Sequence, residues 1–283
     1  MPEARAHDGN TIKIEVHGQG PTLLLPVNPQ PVEGLQAEQM RQFGADPALG
    51  LNLIKGLIDA FRVVVFDYEG HVFGAPKPET LTPANVASDV LAVADAAGAD
   101  RFAYYGYSWL AVVGLQLALR TDRLSALVVG GWPPLNAPYA EMLRVTEASV
   151  ALSAAQESPI PAESDTPDEE SRWSSTALSV DQARQFLTLY QALQGFDDRA
   201  AQTQIRCPRL CFAGSADEMQ YPAQWGNVHV SIAGPIVAGR AELEGFGWDV
   251  QVLDGLDHIQ AMQASQVLPI LRSWLSSNVS AGV

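Results

Sequence analysis

The sequence predicts an α/β fold with a mostly parallel central sheet flanked by helices and an inserted helical cap. Short, continuous apolar runs typical of buried strands alternate with helix-length segments between residues 22 and 129. Between residues 133 and 204 prolines separate helical segments, and no strand pattern occurs. Strand patterns resume at 209–213 and 248–253. Strands separated by helices of this length pair in parallel, with helices on both faces.

The composition indicates an acidic globular protein. The chain has 283 residues and a formal net charge of −15, which disfavours nucleic acid as a partner. The first residues lack the apolar core of a signal peptide, and the longest apolar stretch, 109–119, is too short to span a bilayer. We therefore expect a cytoplasmic location, no membrane or nucleic-acid partner, and a chain that allows a homodimer.

The N-terminal elements follow from alternation and turn residues. Apolar and polar residues alternate over 10–17, which predicts a half-buried strand that turns at 18–21 into a buried strand at 22–25. A helix at 51–60 precedes a central buried strand at 62–66. Thr82 as N-cap and Pro83 at the first helical position begin a helix that ends at Gly98.

The remaining elements divide the chain into two parts. A strand at 102–105, a helix at 111–119 and a strand at 124–129 complete the first half of the sheet. Helical segments at 140–155 and 180–193 predict a cap over residues 133–204, inserted into a core of residues 1–132 and 205–283. The core closes with a strand at 209–213, a helix at 239–246, a strand at 248–253 and a helix at 267–276.

The two cysteines, Cys207 and Cys211, are predicted to be free thiols. On one strand they would lie about 13 Å apart, beyond the ~7 Å that a disulfide allows. No third Cys or nearby His completes a metal site.

A serine occupies the turn between the strand at 102–105 and its helix. Gly106 lets a sharp turn close, and Ser108 would present its hydroxyl beside the first backbone N–H groups of the helix. The alternative is a serine that only caps the helix. A dinucleotide-binding turn is set aside because the next strand ends in Gly130-Gly131-Trp132 with no carboxylate.

This turn resembles the nucleophile elbow of the α/β-hydrolase superfamily, G-x-S-x-G, with Leu110 in the last position. Asp217 and His258 follow later strands, which gives the Ser…Asp…His order of that superfamily. The resemblance covers residues 8–276 and points to its capped serine esterase and lipase-like branch. It implies that Ser108 is the nucleophile, His258 the base and Asp217 the orienting acid, with no cofactor and no metal.

The resemblance also suggests where an oxyanion would bind. The family carries His-Gly after its third strand, whereas residues 26–29 are Pro-Val-Asn-Pro. Proline has no N–H, so Val27 or Asn28 would donate beside the backbone N–H of Trp109. The alternative is that residues 26–29 form only a proline-rich turn.

Other polar residues are weighed against these roles. Glu218 and Asp257 are alternatives for the acid. Asp257 is the weaker candidate, because it is adjacent to His258 in sequence and its side chain would point away from the base in an extended segment. His7, His17 and His229 follow no strand in the right position and are interpreted as surface residues.

Residues 67–74 resemble the D-x-R-G-H-G-x-S loop of the family, with Glu69 in place of the arginine and Val72 in place of a glycine. We expect His71 to be a structural, hydrogen-bonding residue of that loop rather than a base.

The predicted function is a cofactor-independent serine hydrolase that cleaves a carboxylic ester, lactone or thioester through an acyl-enzyme. The alternatives are carbon–carbon bond hydrolysis or a lyase reaction with the same residues, or a ligand-binding protein on a degenerate scaffold. The partner would be a small, uncharged or hydrophobic acyl substrate, because the candidate pocket residues are aromatic or Met. The candidate pocket residues are Tyr139, Met142, Trp173, Phe186 and Tyr190. The alternative for each is that it only packs between cap and core.

Overall fold

The computed structural model describes residues 2–157 and 178–279. The strands in these ranges are β1 (Glu3–Arg5), β2 (Thr11–Lys13), β3 (Glu15–His17), β4 (Thr22–Leu25), β5 (Arg62–Val65), β6 (Phe102–Tyr107), β7 (Leu124–Gly130), β8 (Arg209–Gly214), β9 (Glu218–Gln220), β10 (His229–Ser231) and β11 (Trp248–Leu253). Seven of these described strands form one sheet, in the order β11-β8-β7-β6-β4-β5-β3. Only β3 is antiparallel to its neighbour, so the predicted α/β fold with a mostly parallel sheet is confirmed.

Helices cover both faces of this sheet. Their bounds are α1 (Gly34–Gln42), α2 (Leu49–Leu57), α3 (Tyr68–Gly74), α4 (Pro83–Ala96), α5 (Trp109–Ala118), α6 (Tyr139–Glu157), α7 (Val180–Ala192), α8 (Asp198–Ala201), α9 (Ala233–Ala238), α10 (Arg240–Gly245), α11 (His258–Ala261) and α12 (Ala264–Asn278). One hydrophobic core lies under α4 and α5, and a second lies under α2 and α12. The apolar side chains of β4 to β8 alternate between these cores because successive residues of a strand face opposite sides.

The strand predicted over residues 10–17 is two strands. The break falls at Ile14, whose N–H donates to the Pro2 carbonyl. β2 pairs with β1 in a separate antiparallel sheet, whereas β3 joins the central sheet beside β5. The turn at 18–21 therefore does not close a hairpin between β3 and β4. Side-chain alternation is the same for one strand as for two in line, so the pattern could not locate the break.

Polar contacts hold α7 against the end of α3 and the loop that follows it. The Gln182 side chain donates to the Phe73 carbonyl at 2.9 Å, and the Thr188 hydroxyl donates to the Pro78 carbonyl. The Lys77 N–H donates to the buried Gln185 side chain at 3.1 Å. α7 also packs against α6. The two helices lie within the predicted cap, whose boundaries at 133 and 204 stay a prediction.

The N-terminal segment is held by a second set of polar contacts. Asp8 accepts from Lys77, whose ammonium is fully buried. His7 contacts the buried Asp89 of α4 through its backbone N–H and through Nδ1, at 2.6 and 3.0 Å. Tyr68 also donates to Asp89, at 2.8 Å. His7 is thus a partly buried residue of this network, and its interpretation as a surface residue is wrong.

Both cysteines are free, with Cys211 buried and Cys207 half-buried. None of the described helices combines the length and apolar composition that crossing a membrane requires.

Candidate active site

Ser108 alone forms the turn between β6 and α5. Its φ of 56° and ψ of −128° lie outside the regions that most side chains adopt. Backbone strain of this kind persists only where the surrounding structure enforces it, and it concentrates at functional sites. The Ser108 side chain makes no capping hydrogen bond to α5. A purely helix-capping role therefore does not describe this serine.

Gly106 permits the turn to be this tight. A Cβ at this position would lie 2.2 Å from the Leu110 carbonyl oxygen and 2.8 Å from the Tyr104 ring. The Tyr104 hydroxyl donates to the same Leu110 oxygen at 2.9 Å. The first turn of α5 is thus pressed against β6 although Leu110 stands where the family has a glycine.

His258 and Asp217 are brought together from the ends of two other strands. His258 Nδ1 lies 2.8 Å from Oδ2 of the fully buried Asp217. Asp217 follows β8, and His258 begins α11 after β11. Such a contact fixes the ring orientation and directs Nε2 away from the carboxylate. Among the described residues none hydrogen-bonds to the Ser108 hydroxyl, which borders a cavity together with His258.

Tyr107 and Gly131 set the position of the imidazole. The Tyr107 ring lies 5.1 Å from the His258 ring, and its hydroxyl donates to the His258 carbonyl at 2.8 Å. A Cβ on Gly131, whose φ is 60°, would lie 2.9 Å from His258 Cε1. Burial, reinforced by the charge of Asp217, raises the pKa of Tyr107 far above its usual range, so its hydroxyl stays a donor.

The alternative acids have other partners. Glu218 accepts from the Ser231 hydroxyl and the Gly234 N–H. Asp257 caps α11 by accepting from the Gln260 N–H at 2.8 Å. His17 and His229 lie outside the site and contact Glu15 and Glu218 respectively.

A cavity of about 620 Å³ borders Ser108 and His258. Three of the predicted pocket residues, Met142, Phe186 and Tyr190, line it. Tyr139 does not, contrary to the prediction, because it packs behind the wall against Trp132 and Phe196. Trp173 lies outside the described residues.

The sequence reasoning missed much of this wall. The further apolar and aromatic residues in it are Trp132, Met219, Tyr221, Pro222, Trp225 and Ile232. Most come from the β9–β10 hairpin and its connection, which begins directly after Asp217. Three aromatic or Met side chains within eight residues of Asp217 were the available signal.

A second cavity, of about 470 Å³, borders Ser108, His258 and Trp109. Val27 and Asn28 both line it. The Val27 N–H already donates to the Leu25 carbonyl, whereas the Asn28 N–H has no acceptor among the described residues. Trp109 is the first residue of α5, where backbone N–H groups lack intrahelical acceptors. Among the described residues, the N–H groups of Asn28 and Trp109 thus lack acceptors, and both residues line the cavity that Ser108 borders.

Trp109 separates the two cavities, and Glu69 holds its side chain. The Trp109 indole donates to Glu69 Oε1 at 2.9 Å, and its ring packs against Phe186 at 5.3 Å. Surrounding protein atoms raise the pKa of Glu69 above its usual value, although the carboxylate is accessible from the cavity. The indole hydrogen bond opposes this rise in pKa, and the charge of Asp67 adds to it.

The segment at 67–74 differs from the expected loop. It forms α3, which Asp67 caps by accepting from the Gly70 N–H. His71 lies in this helix and stacks on Tyr68, and its buried Nε2 has no hydrogen-bond partner among the described residues. Burial, with a smaller effect of Lys77, lowers the pKa of His71. The hydrogen-bonding role expected of His71 is therefore not observed at Nε2.

Across residues 2–157 and 178–279, no group of three or more His, Cys, Asp or Glu side chains is arranged to hold a metal ion.

Comparison with known proteins shows which superfamily the chain belongs to. No protein-family model matches the chain. The chain is 31% identical over 229 residues to "Putative carbamate hydrolase RutD" of Klebsiella pneumoniae (strain 342), covering 75% of this chain and 84% of the relative. Among solved structures it is similar in fold to a thermophilic esterase from Thermogutta terrifontis (20% identity, TM-score 0.61, 98% of both chains). It is similar to the enol-lactonase from Burkholderia xenovorans LB400 as well (20% identity, TM-score 0.60, 97% and 100%). The chain belongs to the α/β-hydrolase superfamily and is a hydrolase of that type.

Proposed function

We propose that the protein is a cofactor-independent serine hydrolase that cleaves a carboxylic ester, lactone or thioester through an acyl-enzyme. The observation that carries this proposal is the strained Ser108 turn, which borders the same cavity as an imidazole held by a buried carboxylate. Ser108 would be the nucleophile, His258 the general base and Asp217 the orienting acid. Serine hydroxyls need such a base because they are weak nucleophiles alone.

The proposed reaction has two halves. The Ser108 oxygen bonds to the substrate carbonyl carbon while its proton passes to His258 Nε2. The N–H groups of Trp109 and Asn28 would stabilise the oxyanion. His258 then returns the proton to the leaving oxygen or sulfur as that bond breaks. Water attacks the acyl-enzyme, gives its proton to His258 and releases the acid, after which Ser108 recovers its proton.

The first cavity favours a medium-sized apolar acyl group. Its wall is mostly apolar and includes eight aromatic or Met side chains, and its volume of about 620 Å³ falls within the range of cavities that hold drug-sized ligands. The name of the Klebsiella relative suggests a carbamate instead. Carbamates are therefore the second substrate class to test.

The predicted cap belongs to this proposal. α6 and α7 supply Met142, Thr146, Phe186 and Tyr190 to the cavity wall, so residues 133–204 would select the acyl group. The cytoplasmic location and the homodimer stay predictions of the sequence.

A fluorophosphonate probe with peptide mass mapping tests the nucleophile. We expect modification of wild type at Ser108, none in Ser108→Ala, and labelling slowed about 100-fold or more in His258→Ala and Asp217→Asn. Asp254→Asn is the matched control, because this exposed aspartate also follows β11 but lines neither cavity.

The proposal fails if folded wild type is not labelled, or is labelled elsewhere. In that case the ligand-binding alternative becomes the better description. If Ser108 is labelled but no ester, thioester, lactone or carbamate is cleaved, carbon–carbon cleavage with the same residues is the reaction to test.

A further inference from the structure

The second cavity has an uncompensated negative charge. Three carboxylates line it, those of Asp46, Asp67 and Glu69, and none of its described lining residues is Lys or Arg. Asp46 accepts from the Ala48 N–H and the Asn52 side chain. Asp67 accepts from the Gly70 N–H. Among the described residues no cationic side chain pairs with any of the three.

Glu69 is the carboxylate placed to act on a ligand. Asp46 and Asp67 are each half-buried and committed to backbone N–H groups, whereas Glu69 is exposed to the cavity. Its one described partner is the neutral indole of Trp109, which also borders both cavities. The other Glu69 oxygen therefore has no hydrogen-bond partner among the described residues.

The remaining polar groups are suited to a polar ligand. Amide side chains line the same cavity, those of Asn28, Gln30, Gln36 and Gln263. The first cavity also has two carboxylates in its wall, but Glu218 is paired with His229 and Asp257 caps α11. Ser108 lies between the two cavities, so a substrate cleaved there would place one part in each cavity.

We infer that the second cavity takes a positively charged group of the substrate, such as an ammonium, and that Glu69 sets this preference. The inference rests on the proposed function for the position of the scissile bond. A cation beside Glu69 replaces the missing counter-charge, whereas an anion there meets three carboxylates. The cation also offsets the repulsion that these carboxylates exert on an oxyanion formed at Ser108.

Choline and 3,3-dimethylbutan-1-ol provide matched probes, because they have nearly the same shape and differ in charge. Their butanoyl esters are compared by kcat/KM in wild type, Glu69→Gln and Glu244→Gln. Glutamine keeps an oxygen for the Trp109 indole but removes the charge. Glu244 carries the same charge and lines neither cavity, so its variant is the control.

We expect wild type to favour the choline ester about tenfold, the size of one partly screened ion pair. Glu69→Gln should bring the ratio close to one, and Glu244→Gln should not change it. Equal rates for the two esters in wild type, or a ratio that Glu69→Gln leaves intact, would overturn the inference while the hydrolase proposal stands.

Binding gives an answer that does not depend on turnover. Calorimetric titration of Ser108→Ala with the two alcohols should give tighter binding of choline, lost in the double variant Ser108→Ala, Glu69→Gln. If neither ester is cleaved but choline binds preferentially through Glu69, the inference stands, and the labelling of Ser108 decides the proposed function separately. If the alcohols bind equally, the inference is wrong whatever the activity.

Discussion

Gly106 controls the position of two groups at once, the Ser108 hydroxyl and the Trp109 N–H. The Leu110 carbonyl and the Tyr104 ring both occupy the space that a Cβ would need. A side chain here therefore has to displace the first turn of α5.

We expect Gly106→Ala to reduce the free energy of unfolding by roughly 1–3 kcal/mol, as overpacking of a tight site does. Fluorophosphonate labelling of Ser108 should fall with it. Thermal denaturation and labelling rates measure the two effects. Gly245→Ala is the control, because a Cβ there has no neighbour within 4 Å. Full labelling in a stable Gly106→Ala protein would show that the turn tolerates a wider opening.

The sequence predicted the three candidate catalytic residues because each follows a buried strand in the order of the superfamily. It did not predict what orients them. Tyr107 reads as one more apolar residue of β6, and its contact with His258 joins residues 151 positions apart. The sequence showed only that Glu69 stands where the family loop has an arginine. Its contact with Trp109 could not be predicted, because it depends on how α3 packs beside α5.

At the scale of elements, the pair Asp8–Lys77 joins the N-terminal sheet to the loop after α3. Partial burial opposes ionisation of Asp8, but hydrogen bonds from Lys77 and Asn10 hold the pKa of its carboxyl well below the usual Asp value. A depressed acid pKa stabilises the fold above the pKa of the unfolded chain, about 4, and this stabilisation is lost as the pH falls below it.

We expect Asp8→Asn to destabilise the protein by on the order of 3 kcal/mol at pH 7, because Lys77 is left buried without its counter-charge. The difference from wild type should shrink below pH 4. Urea denaturation at pH 7 and at pH 3 measures both. The double variant Asp8→Asn, Lys77→Met should recover most of the loss, and a difference that is constant with pH would contradict the ionic explanation.

Elements with a strong apolar pattern were predicted to within a few residues, and β4 and β11 to the residue. Other described elements had no such pattern. α1 buries only Ala37, so it has no apolar stripe to detect, and α9 is six residues long with an internal proline. The three-residue strands β9 and β10 are held by their pairing with each other.

For the whole molecule, the first cavity is enclosed by segments that are far apart in the sequence. Phe186 of α7 is the link between them, because its ring packs on Trp109 and on Phe73. The sequence identified several lining residues but not the shape or size of either cavity, since the walls meet only in the folded chain.

Truncating Phe186 should change which acyl chains the protein accepts. We expect Phe186→Ala to raise kcat/KM for a ten-carbon acyl ester relative to a four-carbon ester by about tenfold, because an apolar pocket discriminates by the volume it offers. A series of nitrophenyl esters measures this ratio. Phe196→Ala removes the same ring from outside both cavities and should leave the ratio intact. An unaltered preference in Phe186→Ala would mean that the acyl chain occupies another space.

The three hydrogen bonds that hold α7 restrict which part of the cavity wall can move to admit a substrate. Gln182, Gln185 and Thr188 span nearly two turns of the helix. Gln182 is bonded to the last turn of α3, and the other two are bonded to the loop after it. Swinging α7 outward would break all three bonds together and expose the polar groups that they satisfy. α7 is therefore expected to stay fixed relative to α3, and an opening of the first cavity has to come from another part of its wall. Elsewhere in the wall of the first cavity, α6 packs directly against the turn at Trp225, so an opening between these two segments would require them to separate.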